Sequence, residues 1–396
     1  MAFTSTNTIQ TSKLAELVAL QIAVKAGFMK IGSKDYFSDQ INGKMRSGQT
    51  YSFVIPDAGN VVEGLVASPR AITENKVDLS ITNFNNSVST NVIEDVTDIK
   101  WEDEIAKPFA SKLVNSMLAK EVGLASTKAC AAFIGSGFAP LAEAGSYIQS
   151  ITNEDVYGWV DPQVQAILAS NGQQFVPNGA PDDLYSKGHL GVFQGVDYAA
   201  ERFLKPVMVD SNFVNGTSAA KFTAYTNNGT GSNLSINGLT GSFTVPQYTP
   251  FFVDGVYACD TVGSETNAPY AFIAQSAVSV TGATASIPVN PVITADIGSR
   301  MAVGISGATG NSVSTLNAAG SWKRALVRAD GAYCYTPVET MEFKLSNSEN
   351  GEVDGIKVYQ NSFTDGISAI NTTRFDAPYL AGVVEPRAEA VAYIKG

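Results

Sequence analysis

Histidine is nearly missing from this chain, which has a single one, His189. That excludes paired-histidine metal sites of the H-E-x-x-H kind and would hang any Ser-His-Asp triad on one residue. No G-x-S-x-G elbow accompanies it, and His189 follows Gly188 in a polar stretch, so it reads as an ordinary surface or packed histidine. No phosphate-binding G-x-x-x-x-G-K-[ST] loop occurs either: Gly27 and Gly32 have the spacing, but Ser33-Lys34 reverses the required order. Gly229-Thr230-Gly231 lacks the third glycine and the strand-to-helix setting of a dinucleotide site. The expectation is a chain with no catalytic residues, no cofactor and no metal ion.

Cysteine is sparse and odd in number. Cys130, Cys259 and Cys334 form neither a C-x-x-C pair nor a secreted disulfide framework, which predicts buried, reduced thiols. Charge is scarce too: 16% of residues are Asp, Glu, Lys or Arg, against about 25% in soluble domains. A surface built from Thr, Ser, Asn and Gly, or covered by partners, suits an assembled shell or an adhesin better than a free enzyme. The net charge of −11 argues against a dedicated nucleic-acid binder, which needs a basic stripe. Residues 1–50 run the other way, with Lys13, Lys25, Lys30, Lys34, Lys44 and Arg46 against Glu16, Asp35 and Asp39. No apolar run approaches the ~20 residues a spanning helix needs, and the first residues lack the basic-then-apolar order of a signal peptide, so neither a membrane nor secretion is expected. The acidic clusters Glu94-Asp95, Glu102-Asp103-Glu104 and Asp182-Asp183 read as structural, since neighbouring carboxylates usually mark helix starts.

What is present is folded material, 44% apolar, enough for a sizeable core. Leu14, Val18, Ile22, Ala26 and Met29 fall at spacings of three and four, predicting an amphipathic helix over 12–31 that stops at Gly32. Tyr51, Phe53 and Ile55 then alternate with polar residues, as do Val77, Leu79 and Ile81 with Asp78, Ser80 and Thr82. These predict antiparallel ribbons with one half-wet face. A long helix follows from Pro108 to about Ile134, with Phe109, Leu113, Met117 and Leu124 along one face, about 40 Å in length. A further helix is expected over Asn153–Ser170. From Ser211 to Met301 charges almost vanish and short strands recur, at Phe243–Val245, Phe251–Val253, Ala271–Ala274, Val278–Val280 and Ala285–Val289, predicting a small sandwich or barrel. Strands at Arg324–Arg328, Ala332–Tyr335, Met341–Leu345 and Gly355–Tyr359 lead to a closing pair, Tyr379–Val384 and Ala390–Ile394, joined by Glu385-Pro386-Arg387-Ala388-Glu389.

Three stretches carry a family resemblance: Asp78–Ile81 to Val92–Asp95 running into the long helix; Phe252–Tyr257 with Ala285–Val289; and Phe375–Ile394. In this order they resemble the major capsid proteins of tailed phages, of the α+β Hong Kong 97-like fold, in the podovirus version with a small β-barrel inserted into the core. The order Glu385-Pro386-Arg387 departs from the commoner Arg-Pro-Glu. The resemblance implies an N-terminal helical arm (1–35), an extended β-arm (36–98), a spine helix and the start of a peripheral domain (99–150), a first core part (151–210), an inserted barrel (211–303) and a second core part with the closing strands (304–396). It implies self-assembly as hexamers and pentamers into an icosahedral shell around double-stranded DNA, held without sequence-specific binding. A scaffolding protein, a portal protein and an expanding precursor shell are further implications, as are assembly in the host bacterial cytoplasm and a final place in the virion. Intersubunit contacts are expected from arm residues: the aromatics Tyr51, Phe53 and Phe84, and the charged Glu63, Arg70, Glu74 and Lys76 near the arm tip. A β-rich adhesin, tail or decoration protein, or a carbohydrate-active enzyme using an Asp/Glu pair, remain the alternative readings.

Overall fold

A computed structural model of the chain describes residues 6–34, 36, 48–55, 75–91, 106–170, 189–227, 231–293, 300–338, 348–365 and 370–396. It is a mixed α+β structure rich in strands, and it divides into two compact units. The first comprises Met1–Phe53, Lys76–Glu121 and Tyr333–Gly382; the second comprises Val54–Asn75, Val122–Ala332 and Val383–Gly396.

The first unit opens with the helix Thr6–Lys25 and its short continuation Gly27–Lys30. The face anticipated from spacing is the buried one: Leu14, Val18, Ile22, Ala26 and Met29 are all at most 4% exposed. That face lies against the edge of a six-stranded sheet ordered Ser33–Lys34, Tyr333–Pro337, Ile370–Val383, Ile356–Asp365, Ser348–Val353, with Thr82–Asn91 also paired to Ile370–Val383. Gly351, in the edge strand, lets the helix approach: a Cβ there would overlap the backbone of Ala15 and Glu16.

The long helix is Lys107–Lys128, and it differs from expectation in two ways. It is about 33 Å long at 1.5 Å per residue, because Ala131–Gly135 is a strand, paired in parallel with the closing strand. Its buried face runs through Ala110, Leu113, Val114, Met117 and Leu118, while Leu124 lies outside it, 45% exposed. An apolar run such as Ala131–Ile134 fits both periods, and only its distant partner strand decides between them. The helix expected over 153–170 is likewise a strand, Val156–Val160, followed by the helix Pro162–Ser170. Asp161 marks the switch, its carboxylate accepting from Gln163 N at 2.8 Å. The helix Ala139–Ile151, with Leu141, Ala144, Tyr147 and Ile148 buried, belongs to the second unit.

The second unit is built on a large sheet whose path runs Lys221–Asn227, Ser232–Asn237, Thr284–Asn290, Glu265–Ala274, Ala131–Gly135, Glu389–Lys395, Gly320–Ala329, Val156–Val160, Val196–Ala200, His189–Phe193. The strand nearest the chain's end is therefore central, antiparallel to Gly320–Ala329 and parallel to Ala131–Gly135. Six of its residues, Glu389 to Ile394, are buried. At the other end of the path, Pro250–Cys259 pairs with Glu265–Ala274 and with the short strand Val313–Ser314. Phe222 N then donates to Asn311 O, and Val313 N to Ala220 O, both at 2.9 Å, so the pairing returns to the strand from which it began. Phe222, Leu234, Ile236, Phe251, Val253, Tyr270, Phe272, Ile287 and Val289 are the buried side chains of this region. The short strands anticipated between 243 and 289 are all present. Met341–Leu345 lies outside the described residues.

Candidate functional site: the β-arm and the closing turn

The arm begins as a two-stranded ribbon of Thr50–Ile55 and Asn75–Ser80. Its base is closed by Gly48 N to Ile81 O and Ile81 N to Gln49 O. One face is polar by construction: the hydroxyls of Thr50 and Ser80 bond at 3.0 Å, and Ser52 donates to Asp78 at 2.5 Å. Tyr51 points to the other face and is half-buried, whereas Leu79 and Ile81 are buried. Beyond Ile81 the chain turns into Thr82–Asn91, which keeps an unbroken antiparallel register with 370–379, from Thr82↔Tyr379 to Asn91↔Ile370.

Phe84 is half-buried on this strand and stacks on Tyr379, with ring centroids 6.4 Å apart at 15°. Lys120 donates to Thr82, and Asn83 donates to the buried Asp376, which also receives two bonds from Arg374. The proximal half of the arm thus belongs to its own sheet. Phe53 and Lys76 lie in the ribbon strands, but their side chains are outside the described residues. Glu63, Arg70 and Glu74 also lie outside them, as do Glu94-Asp95, Glu102-Asp103-Glu104 and Asp182-Asp183.

The closing turn is tightly determined. Glu385 accepts three bonds from Arg387: backbone N at 3.2 Å, Nε at 2.7 Å, and a terminal nitrogen at 2.6 Å. Burial works against the Arg387 charge, but this carboxylate outweighs it and holds the guanidinium above its ordinary pKa. The inverted Glu-Pro-Arg order thereby becomes a self-contained ion pair, with Pro386 starting a single 3-10 turn. Around it, Val384 N and Glu385 N both donate to Ala332 O, Cys130 N donates to Pro386 O, and the Tyr147 hydroxyl donates to Arg387 O.

Four buried charged residues were not singled out from the sequence. Arg324 donates to Lys205 O at 2.6 Å and to Ser126 Oγ at 2.8 Å, and lies 3.9 Å over the Tyr248 ring. Arg328 lies over Trp159 and sits directly across from Glu389 in the strand pair. Glu389 is fully buried, and burial pushes its carboxyl up to about 8 against the pull of Arg328 and Lys128. In the first unit, Glu121 accepts from the hydroxyls of Tyr333 and Tyr379 at 2.9 and 3.0 Å. The available signal was two arginines inside the apolar run Trp322–Ala329. Among the described residues no three His, Cys, Asp or Glu side chains are grouped to hold a metal. The three cysteines form no disulfide and are buried, with burial raising the thiols of Cys130 and Cys259, which makes them poor nucleophiles. No described helix is long and apolar enough to cross a membrane.

No family model matches the chain, and no curated protein matches it. Solved structures do. A chain of Mycobacterium phage Che8 is similar at 12% identity and TM-score 0.44, over 91% of this chain and 89% of that one. The mature capsid of bacteriophage PhiM1 is similar at 9% identity and TM-score 0.41, over 91% and 87%. The holo-SrpI encapsulin complex from Synechococcus elongatus is similar at 8% and 0.43, again over 91% and 87%.

Proposed function

We propose that the chain is the major capsid protein of a tailed double-stranded DNA bacteriophage, self-assembling as hexamers and pentamers into the icosahedral head shell. The observation that carries this reading is the order of parts. A helical arm, a two-stranded ribbon and a long helix precede a sheet whose centre is the closing strand, entered through the pinned Glu385-Pro386-Arg387 turn. The β-rich ring of strands from Lys221 to Ser314 supports the reading of a barrel inserted into that core. In this reading the chain works by association and not by catalysis, and its low charge content fits a surface covered by neighbours.

The arm residues Tyr51, Phe53, Glu63, Arg70, Glu74, Lys76 and Phe84 are the contact candidates, the charged ones through intersubunit ion pairs. A scaffolding protein guides a precursor shell that later expands, a portal protein occupies one vertex, and the acidic chain encloses DNA without gripping it. The test is negative-stain electron microscopy with sedimentation on the recombinant chain, alone and with its cognate scaffold. Closed shells, spirals or hexameric rings are expected. Persistent monomer with scaffold present overturns the reading in favour of a β-rich adhesin or a carbohydrate-active enzyme.

A further inference from the structure

The large sheet of the second unit splits beside one strand, and the split forms a groove. Ala131–Gly135 is fully paired on one side, residue by residue, with Ala390–Ile394. On its other side a single bridge, Ala131↔Tyr270, is the only strand pairing among the described residues. Ala271 N donates to Cys130 O at 2.9 Å on that side. By the two-residue alternation of strand hydrogen bonding, the amide groups of Ile134 are directed to the same open edge.

The facing wall diverges at the same level. The register of Pro250–Cys259 against Glu265–Ala274 jumps between Phe252 and Tyr257. At the far end Tyr257 faces Pro269, a residue with no N–H to give. The resulting groove has a volume of about 820 Å³, within the range of ligand-binding clefts. Phe133, Ile134, Phe252 and Tyr257 supply half-buried apolar walls, and the exposed carboxylates Asp254 and Glu143 line it as well.

We propose that this groove is a strand-addition site for a partner protein's extended segment, apolar at alternate positions and carrying one lysine or arginine. The open edge supplies backbone hydrogen bonds, the apolar walls take every second side chain, and the two carboxylates select the cation. A net charge of −11 makes a second copy of this chain the poorer occupant. None of the described arm residues invoked for shell contacts lines the groove.

The test uses the unassembled full chain and fluorescein-labelled acetyl-Val-Thr-Val-Lys-Val-Thr-amide, with fluorescence anisotropy and amide hydrogen exchange as readouts. Saturable binding is expected, with slowed exchange at Ile134. A peptide with Glu replacing Lys binds more weakly, and the double variant Asp254→Asn/Glu143→Gln weakens the Lys peptide about tenfold at low salt, as two exposed pairs together allow. These exposed substitutions leave the fold intact. No binding at millimolar peptide, equal affinity for both peptides, or binding without protection at Ile134 overturns the proposal. Dimerisation of the peptide-free chain that the same double variant abolishes overturns the partner assignment in favour of a second copy.

Discussion

Glu389→Gln should stabilise this chain at alkaline pH and leave it unchanged in acid. Glu389 sits in the central strand with no exposed surface, and neither carboxylate oxygen has a hydrogen-bond partner. Burial raises its pKa from 4.5 to about 8, although Arg328 and Lys128 pull the other way. Between those two values the folded chain keeps a proton that the unfolded chain has released. Stability therefore falls as pH rises through this window, by about 1.4 kcal/mol per pH unit, and it levels off above the folded pKa. Carried from 4.5 to about 8, the loss is about 5 kcal/mol. Glutamine keeps the shape and never ionises, so the variant escapes this loss. Urea denaturation of wild type and variant, run in parallel from acid to alkaline pH, isolates the effect because all other titrating groups cancel. The two curves should coincide near the unfolded pKa and separate steadily up to the folded one. A constant offset across that range refutes the reasoning: it would mean that Glu389 is already ionised and fully offset by Arg328 across the strand pair.

Arg387→Ala should lower stability by about 3 kcal/mol, since it leaves Glu385 without its partner in a largely buried turn; a urea midpoint equal to wild type would count against the pinned turn. Gly351→Ala should loosen the N-terminal helix from its sheet edge, because the added methyl meets the backbone of Ala15 and Glu16. Faster amide exchange between Ala15 and Ile22 checks it, and unchanged protection there would refute it. Arg70→Glu should reduce shell yield while leaving the circular dichroism of the monomer unchanged; shells at wild-type yield would remove Arg70 from the contacts.

Local periodicity located many elements because their burial pattern follows from residues close in sequence. The N-terminal helix is the clearest case: the five residues at helical spacing are all buried, with Ala15, Ala19, Ala23 and Phe28 beside them. The ribbon alternation around Leu79 and the short strands from Phe243 to Val289 were legible for the same reason. The candidate contact residues were less so. Phe84 reads from sequence as equally suited to a neighbour or to its own domain, and it stacks on Tyr379, nearly 300 positions along the chain.

The order of its periodic segments set the α+β plan of this protein. Tertiary structure alone decided that Ala131–Gly135 leaves the long helix to become a strand, since its pairing with Ala390–Ile394 offers hydrogen bonds that no local signal announces. It alone decided that Arg324, Arg328 and Glu389 are interior groups. A strand's neighbours across a sheet set its burial, and here those neighbours lie tens to hundreds of residues away in the chain.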